Sequence, residues 1–121
     1  MHNKSYYKKY KKWCDEYFYL KHRGEPRGIG GIFFDYKKNN FERDFGFVRD
    51  VGITFQSIFK KIIKKKIKQK WTLKDKEAQY IKRGRYTEFN LLYDRGTRFG
   101  LETGGNVDGI LMSLPPIAKW R

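Results

Sequence analysis

The sequence predicts an α+β fold with a largely antiparallel sheet. Three observations lead there. An aromatic stripe at steps of three and four lies near the start, and a longer apolar stripe of the same period fills the middle. Toward the end, short apolar runs are broken by glycine and proline. The implied order is helix, strand, two helices, then a run of strands.

The first helix spans residues 5–21, where Tyr6, Tyr7, Tyr10, Trp13, Cys14, Tyr17 and Phe18 share one face and lysines and acids the other. Gly24 and Pro26 break it. Residues 28–35, Gly-Ile-Gly-Gly-Ile-Phe-Phe-Asp, read as a glycine-rich entry into a buried strand. Residues 41–69 carry the clearest helical signal, with Phe45, Val48, Val51, Phe55, Ile58, Phe59, Ile62 and Ile63 in one stripe. A shorter helix follows over 72–82, opened by Thr72 with Asp75 as an approximate capping box and ended by Gly84. Residues 86–93 and 97–103 read as two strands of a hairpin turning at Asp94-Arg95-Gly96, and 110–114 as a third strand stopped by Pro115 and Pro116. On the 86–93 strand, Phe89 and Leu91 would face the core, while Glu88 and Asn90 would border a polar cleft.

Composition narrows the function classes. The 121 residues are one domain's worth, and 18% are aromatic, far from the composition of a disordered chain. A formal charge of +15 attracts anions: nucleic acid, acidic lipid or a polycarboxylate. The same excess also follows from codon drift, since Lys, Ile, Asn, Tyr and Phe all have A/T-rich codons. A single cysteine, Cys14, cannot form an internal disulfide and points to an intracellular protein. The start lacks the apolar core of a secretory leader, and no run reaches a membrane span.

Few motifs carry chemistry by themselves. The glycines at 28, 30 and 31 precede their strand, whereas a dinucleotide fingerprint follows one and opens a helix. His2, His22 and Cys14 have no metal-site spacing. His22 reads as a histidine at a helix end, or as one ligand of a site completed elsewhere. Asp94-Arg95-Gly96 fits a plain turn and equally a carboxylate-binding corner. The lysines of 60–70, beside Trp71, make a solvated helix face or a nucleic-acid patch.

Four blocks resemble the oxygen-dependent coproporphyrinogen III oxidases in order and spacing. Residues 10–23 read Tyr-Lys-Lys-Trp-Cys-Asp-Glu-Tyr-Phe-Tyr-Leu-Lys-His-Arg, and 27–35 Arg-Gly-Ile-Gly-Gly-Ile-Phe-Phe-Asp. Residues 83–97 read Arg-Gly-Arg-Tyr-Thr-Glu-Phe-Asn-Leu-Leu-Tyr-Asp-Arg-Gly-Thr, and 110–116 Ile-Leu-Met-Ser-Leu-Pro-Pro. The lysine-rich middle resembles the family least.

The resemblance implies a sheet flanked by helices on both faces, a homodimer, and a cytoplasmic enzyme of haem and porphyrin biosynthesis. Its reaction would be oxidative decarboxylation of coproporphyrinogen III to protoporphyrinogen IX. Molecular oxygen would be the co-substrate, with no organic cofactor and with a divalent metal in some members. Carried over by position, Asp94 and Arg95 would act at the substrate. Arg27, Gly104, Gly105 and Asn106 would bind it, and His22 would be a metal ligand and a dimer contact. Residues 86–121 would belong to the dimerising part. This chain departs from the family at Asn106, where Arg is usual, at Gly109 for Ser, and at Tyr36 for the second Asp of a Phe-Phe-Asp-Asp motif.

The resemblance makes 1–121 a C-terminal portion, lacking the family's N-terminal half and last helix. The fragment is then expected to be inactive alone, with a separately encoded N-terminal half as a candidate partner. The alternative is a basic nucleic-acid-binding module on a retired enzyme scaffold. Neither membrane nor nucleic acid is a partner in the leading reading.

Overall fold

The computed structural model describes residues 2–121. Helix α1 (Tyr6–Tyr17) buries Tyr10 and Cys14, the centre of the aromatic stripe. It leads into strand β1 (Tyr19–Leu20), which turns through Gly24 at φ 67° and pairs antiparallel with β2 (Glu25–Pro26). Leu20 is wholly buried. The segment 27–40 returns over α1 without regular structure, held where Phe33 N–H donates to Tyr10 O (3.1 Å) and Gly31 N–H to Cys14 Sγ (3.3 Å).

Helix α2 (Phe41–Lys66) starts where expected, with the Asn40 side chain accepting from Arg43 N–H. Its first turns are anchored. Phe47 is buried among Tyr6, Tyr10 and Phe34, with ring centroids 5.0–5.7 Å away. Buried Asp44 takes Lys37 Nζ at 3.2 Å. From residue 52 to 75 every residue is exposed.

Helix α3 (Leu73–Leu92) opens with the capping box legible in the sequence. Asp75 N–H donates to Thr72 Oγ1 (3.2 Å), and Thr72 N–H to Asp75 Oδ2 (2.8 Å). It does not stop at Gly84. The missing side chain there admits the C-terminal segment, since a Cβ would lie 2.4 Å from Lys119 O. Lys119 N–H donates to Tyr80 O (3.1 Å), tying that segment to the helix. Two short helices, α4 (Arg95–Glu102) and α5 (Val107–Leu111), follow.

The mixed helix-and-strand class holds, with helix dominant and a sheet of one two-stranded pair. The placement of strands differs from expectation. Residues 28–35 form no ladder, 86–93 complete α3, 97–103 lie largely in α4, and 110–114 span the end of α5 and a turn. A strand needs a neighbour to satisfy its backbone groups, whereas a helix satisfies them internally. Residues 86–93 also serve a helix well, because Phe89 and Tyr93 sit one turn apart with centroids 6.2 Å from each other. Phe89 then reaches the rings of Tyr17 and Phe18 (5.8 and 5.1 Å). The helical period also changes which residues are inside. Phe89 and neighbouring Asn90 are both buried, while Leu91 is exposed.

Candidate functional site

The strongest electrostatic feature joins the turn after β1 to the last turns of α3. Arg23 grips both oxygens of Glu88 through Nε (2.5 Å) and Nη2 (2.6 Å), a bidentate pair. His22 Nε2 lies 2.8 Å from Glu88 Oε2, and His22 Nδ1 2.9 Å from Tyr93 Oη. The Glu88 side chain is only 11% exposed. The Arg23 guanidinium above all, then His22, pulls its carboxyl down to about 2, against the cost of burial. Glu88 is therefore an acceptor, and Nε2 of His22 carries the proton that bridges them.

Both ring nitrogens of His22 are thus engaged by side chains of the protein. Among the described residues no group of three or more His, Cys, Asp or Glu gathers in a way that could hold a metal. In this structure His22 is part of a hydrogen-bonded clamp with Glu88 and Tyr93.

Beside the clamp, Arg27 lies with its guanidinium 4.1 Å from the Phe18 ring centroid, 4.8 Å from that of Tyr86 and 5.2 Å from that of Phe89. Stacking covers the faces of a guanidinium and leaves its in-plane N–H groups for acceptors. A cleft of about 560 Å³ opens here, between the glycine-rich segment 28–33 and one face of α3. Gln79, Lys82, Arg83 and Tyr86 supply that face, at the i, i+3, i+4, i+7 spacing of a helix stripe. Burial pushes the Tyr86 phenol up. Hydrogen bonding to Asn90 and Ser113 and the nearby positive charge of Arg27 and Arg83 outweigh it, so the group ends below its usual range.

The other expected site residues lie at helix starts. Asp94 caps α4, accepting from Thr97 N–H at 2.7 Å, where a hairpin tip was expected. Arg95 follows at the first helical position, with Nη2 3.4 Å from Tyr36 Oη. Tyr36 itself has φ 52°. Gly104 takes φ 72°, which only glycine adopts cheaply, and Gly105 N–H donates to Gly100 O (2.9 Å). Asn106 caps α5 through Gly109 N–H (3.3 Å). Among the described residues no hydrogen bond links Asp94, Arg95 or 104–106 to His22 or Arg27.

Sequence reasoning named His22, Arg27 and the 94–95 pair, and it placed Glu88 only at the edge of a polar cleft. It missed Lys82, Arg83 and Tyr93. The stripe at 79, 82, 83 and 86 was the available signal, hidden by ending the helix at Gly84 and beginning a strand at 86.

Comparison with known proteins agrees with the motif resemblance. Residues 1–121 match the family model described as coproporphyrinogen III oxidase. An oxygen-dependent coproporphyrinogen-III oxidase of Rickettsia rickettsii (strain Sheila Smith) is 62% identical over 121 residues, covering 99% of this chain and 43% of the relative. Proteins of the same name from Rickettsia bellii (strain OSU 85-389) and Rickettsia akari (strain Hartford) are 61% and 60% identical, again over 43% of their length. The chain spans less than half the length of these curated relatives. It belongs to the coproporphyrinogen III oxidase family.

Proposed function

We propose that this chain supplies part of an oxygen-dependent coproporphyrinogen III oxidase. The carrying observation is 62% identity to relatives of that name, along nearly the whole chain. In the reaction each of two propionates loses its carboxyl as carbon dioxide while the remaining two carbons become a vinyl group. Each decarboxylation releases two electrons and two protons, which reduce one molecule of oxygen to hydrogen peroxide, so two molecules of oxygen are consumed on the way to protoporphyrinogen IX.

In this reading Arg27 binds a propionate, Gly104, Gly105 and Asn106 shape a substrate-binding turn, and Arg95 meets the substrate from the start of α4. Asp94 accepts a pyrrole N–H once its cap on Thr97 is exchanged for substrate. Oxygen is the co-substrate. The enzyme works as a cytoplasmic homodimer, and these 121 residues are a C-terminal portion that does not turn over alone. Relatives more than twice as long support that last point, since active sites draw on several segments and positioning dominates rate. Residues beyond these 121 would then complete the subunit.

Two assays with coproporphyrinogen III under oxygen test this. The chain alone should give no protoporphyrinogen IX, and turnover there overturns its dependence on further residues. A hybrid in which this chain replaces the matched region of the Rickettsia rickettsii relative should be active. A folded but inactive hybrid overturns the proposed function.

A further inference from the structure

The cleft between segment 28–33 and α3 has an uneven charge. Its lining includes three cations, Arg27, Lys82 and Arg83, and no acidic residue. Elsewhere Arg23, Arg43, Arg49, Arg85 and Arg98 each sit beside a carboxylate. Among the described residues none pairs with Arg27, Lys82 or Arg83. Glu25, whose carboxyl feels Lys82, is already held by Arg85 at 2.6 Å, which with Lys82 keeps it ionised at lower pH than usual. Unpaired cations facing one cavity attract an anion.

The rest of the lining sets the shape of that anion. Phe18, Phe33 and Tyr86 present ring surfaces, and glycines at 28, 30 and 31 leave bare backbone between Ile29 and Ile32 on the opposite wall. Arg83 lies over the Tyr86 ring at 4.3 Å, so it and Arg27 both rest on one aromatic platform. The volume, about 560 Å³, is that of a small-molecule site.

We propose that Lys82 and Arg83, together with Arg27, form a carboxylate-recognition edge on this cleft, which takes a large ring system bearing several carboxylates. This rests on the functional reading above for the identity of the ring. It adds Lys82 and Arg83 as residues that select it. Gln79, on the same stripe, supplies a neutral donor to the same edge. A carboxylate on such a ring takes the paired N–H donors of Arg83 in its plane, while Lys82 offers a mobile point charge.

The probe is coproporphyrin III, a stable fluorescent tetracarboxylate, titrated into the 121-residue chain by fluorescence, with its tetramethyl ester as the uncharged control. The acid should bind and the ester should bind at least about tenfold more weakly. Arg83→Gln and Lys82→Gln should each weaken the acid by roughly fivefold to tenfold, and Lys60→Gln, the same charge change on exposed α2, by less than twofold. Lys82 is exposed, so its variant keeps the fold and carries the test if Arg83→Gln does not. Equal loss in Lys60→Gln, or unchanged affinity in both α3 variants, overturns the proposal. The active hybrid separates the two readings. If it is inactive while probe binding still depends on Lys82 and Arg83, the recognition edge stands and the oxidase reading falls. If it is active and both variants keep KM and probe affinity, the edge falls alone.

Discussion

The seam between α1 and α3 and the second half of α2 are built from the same ingredients, aromatic and branched apolar residues at helical spacing beside lysines. In the seam, Cys14, Leu20 and Phe89 are 0–4% exposed, and Arg23, Arg27 and Arg85 are tied down by Glu88, aromatic rings and Glu25. On α2, Phe55, Ile58, Phe59 and Ile62 are 50–66% exposed, and among the described residues Phe55 and Phe59 stack only on each other, at 5.6 Å. Amphipathic pattern therefore says that a face wants cover, and chain-distant partners decide whether it gets any. Residues 51–74 also lack any acid, so the second half of α2 has no local counter-charge for its lysines.

Substitutions can break or sharpen that contrast. The largest effect belongs to Phe89→Ala, which empties the seam and should cost roughly 3–5 kcal/mol by chemical denaturation. A loss under about 1 kcal/mol would mean the seam is not the core.

Glu88→Gln comes next, leaving the Arg23 guanidinium without its counter-charge, at roughly 1.5–3 kcal/mol. The pH dependence has a definite sign. The folded carboxyl titrates near 2 against an ordinary 4.5, so its contribution is present above 4.5 and is lost as pH falls toward 2. Urea melts from pH 6 to pH 2 should show wild type losing stability in that window and Glu88→Gln losing less. Parallel curves would remove Glu88 as the cause.

Gly84→Ala is the third. The new methyl would meet Lys119 O at 2.4 Å, so the C-terminal segment must lift from α3, at about 1–3 kcal/mol. Faster hydrogen exchange at the Lys119 amide is the specific readout, since its bond to Tyr80 O breaks. Smallest is Ile58→Ala on exposed α2, expected within about 0.5 kcal/mol of wild type for this chain. A loss comparable to that of Phe89→Ala would show that α2 is packed in solution and erase the contrast.

Local chemistry was legible in the residues themselves. The Thr72–Asp75 capping box and the stripes of α1 and α2 depend on groups within a few positions of one another, so the sequence alone determined them. His22, Arg27, Asp94 and Arg95 could be named from the chain order of their motifs. Tertiary structure decided what they do. The choice of helix over strand for 86–93 and 97–103 turned on whether a neighbouring strand was available, which no window of residues records. The bonds from His22 and Arg23 to Glu88 span 66 and 65 positions, and Arg85 to Glu25 spans 60. Only the folded path brings such charges together, because an ion pair between distant positions depends on the course of everything between them.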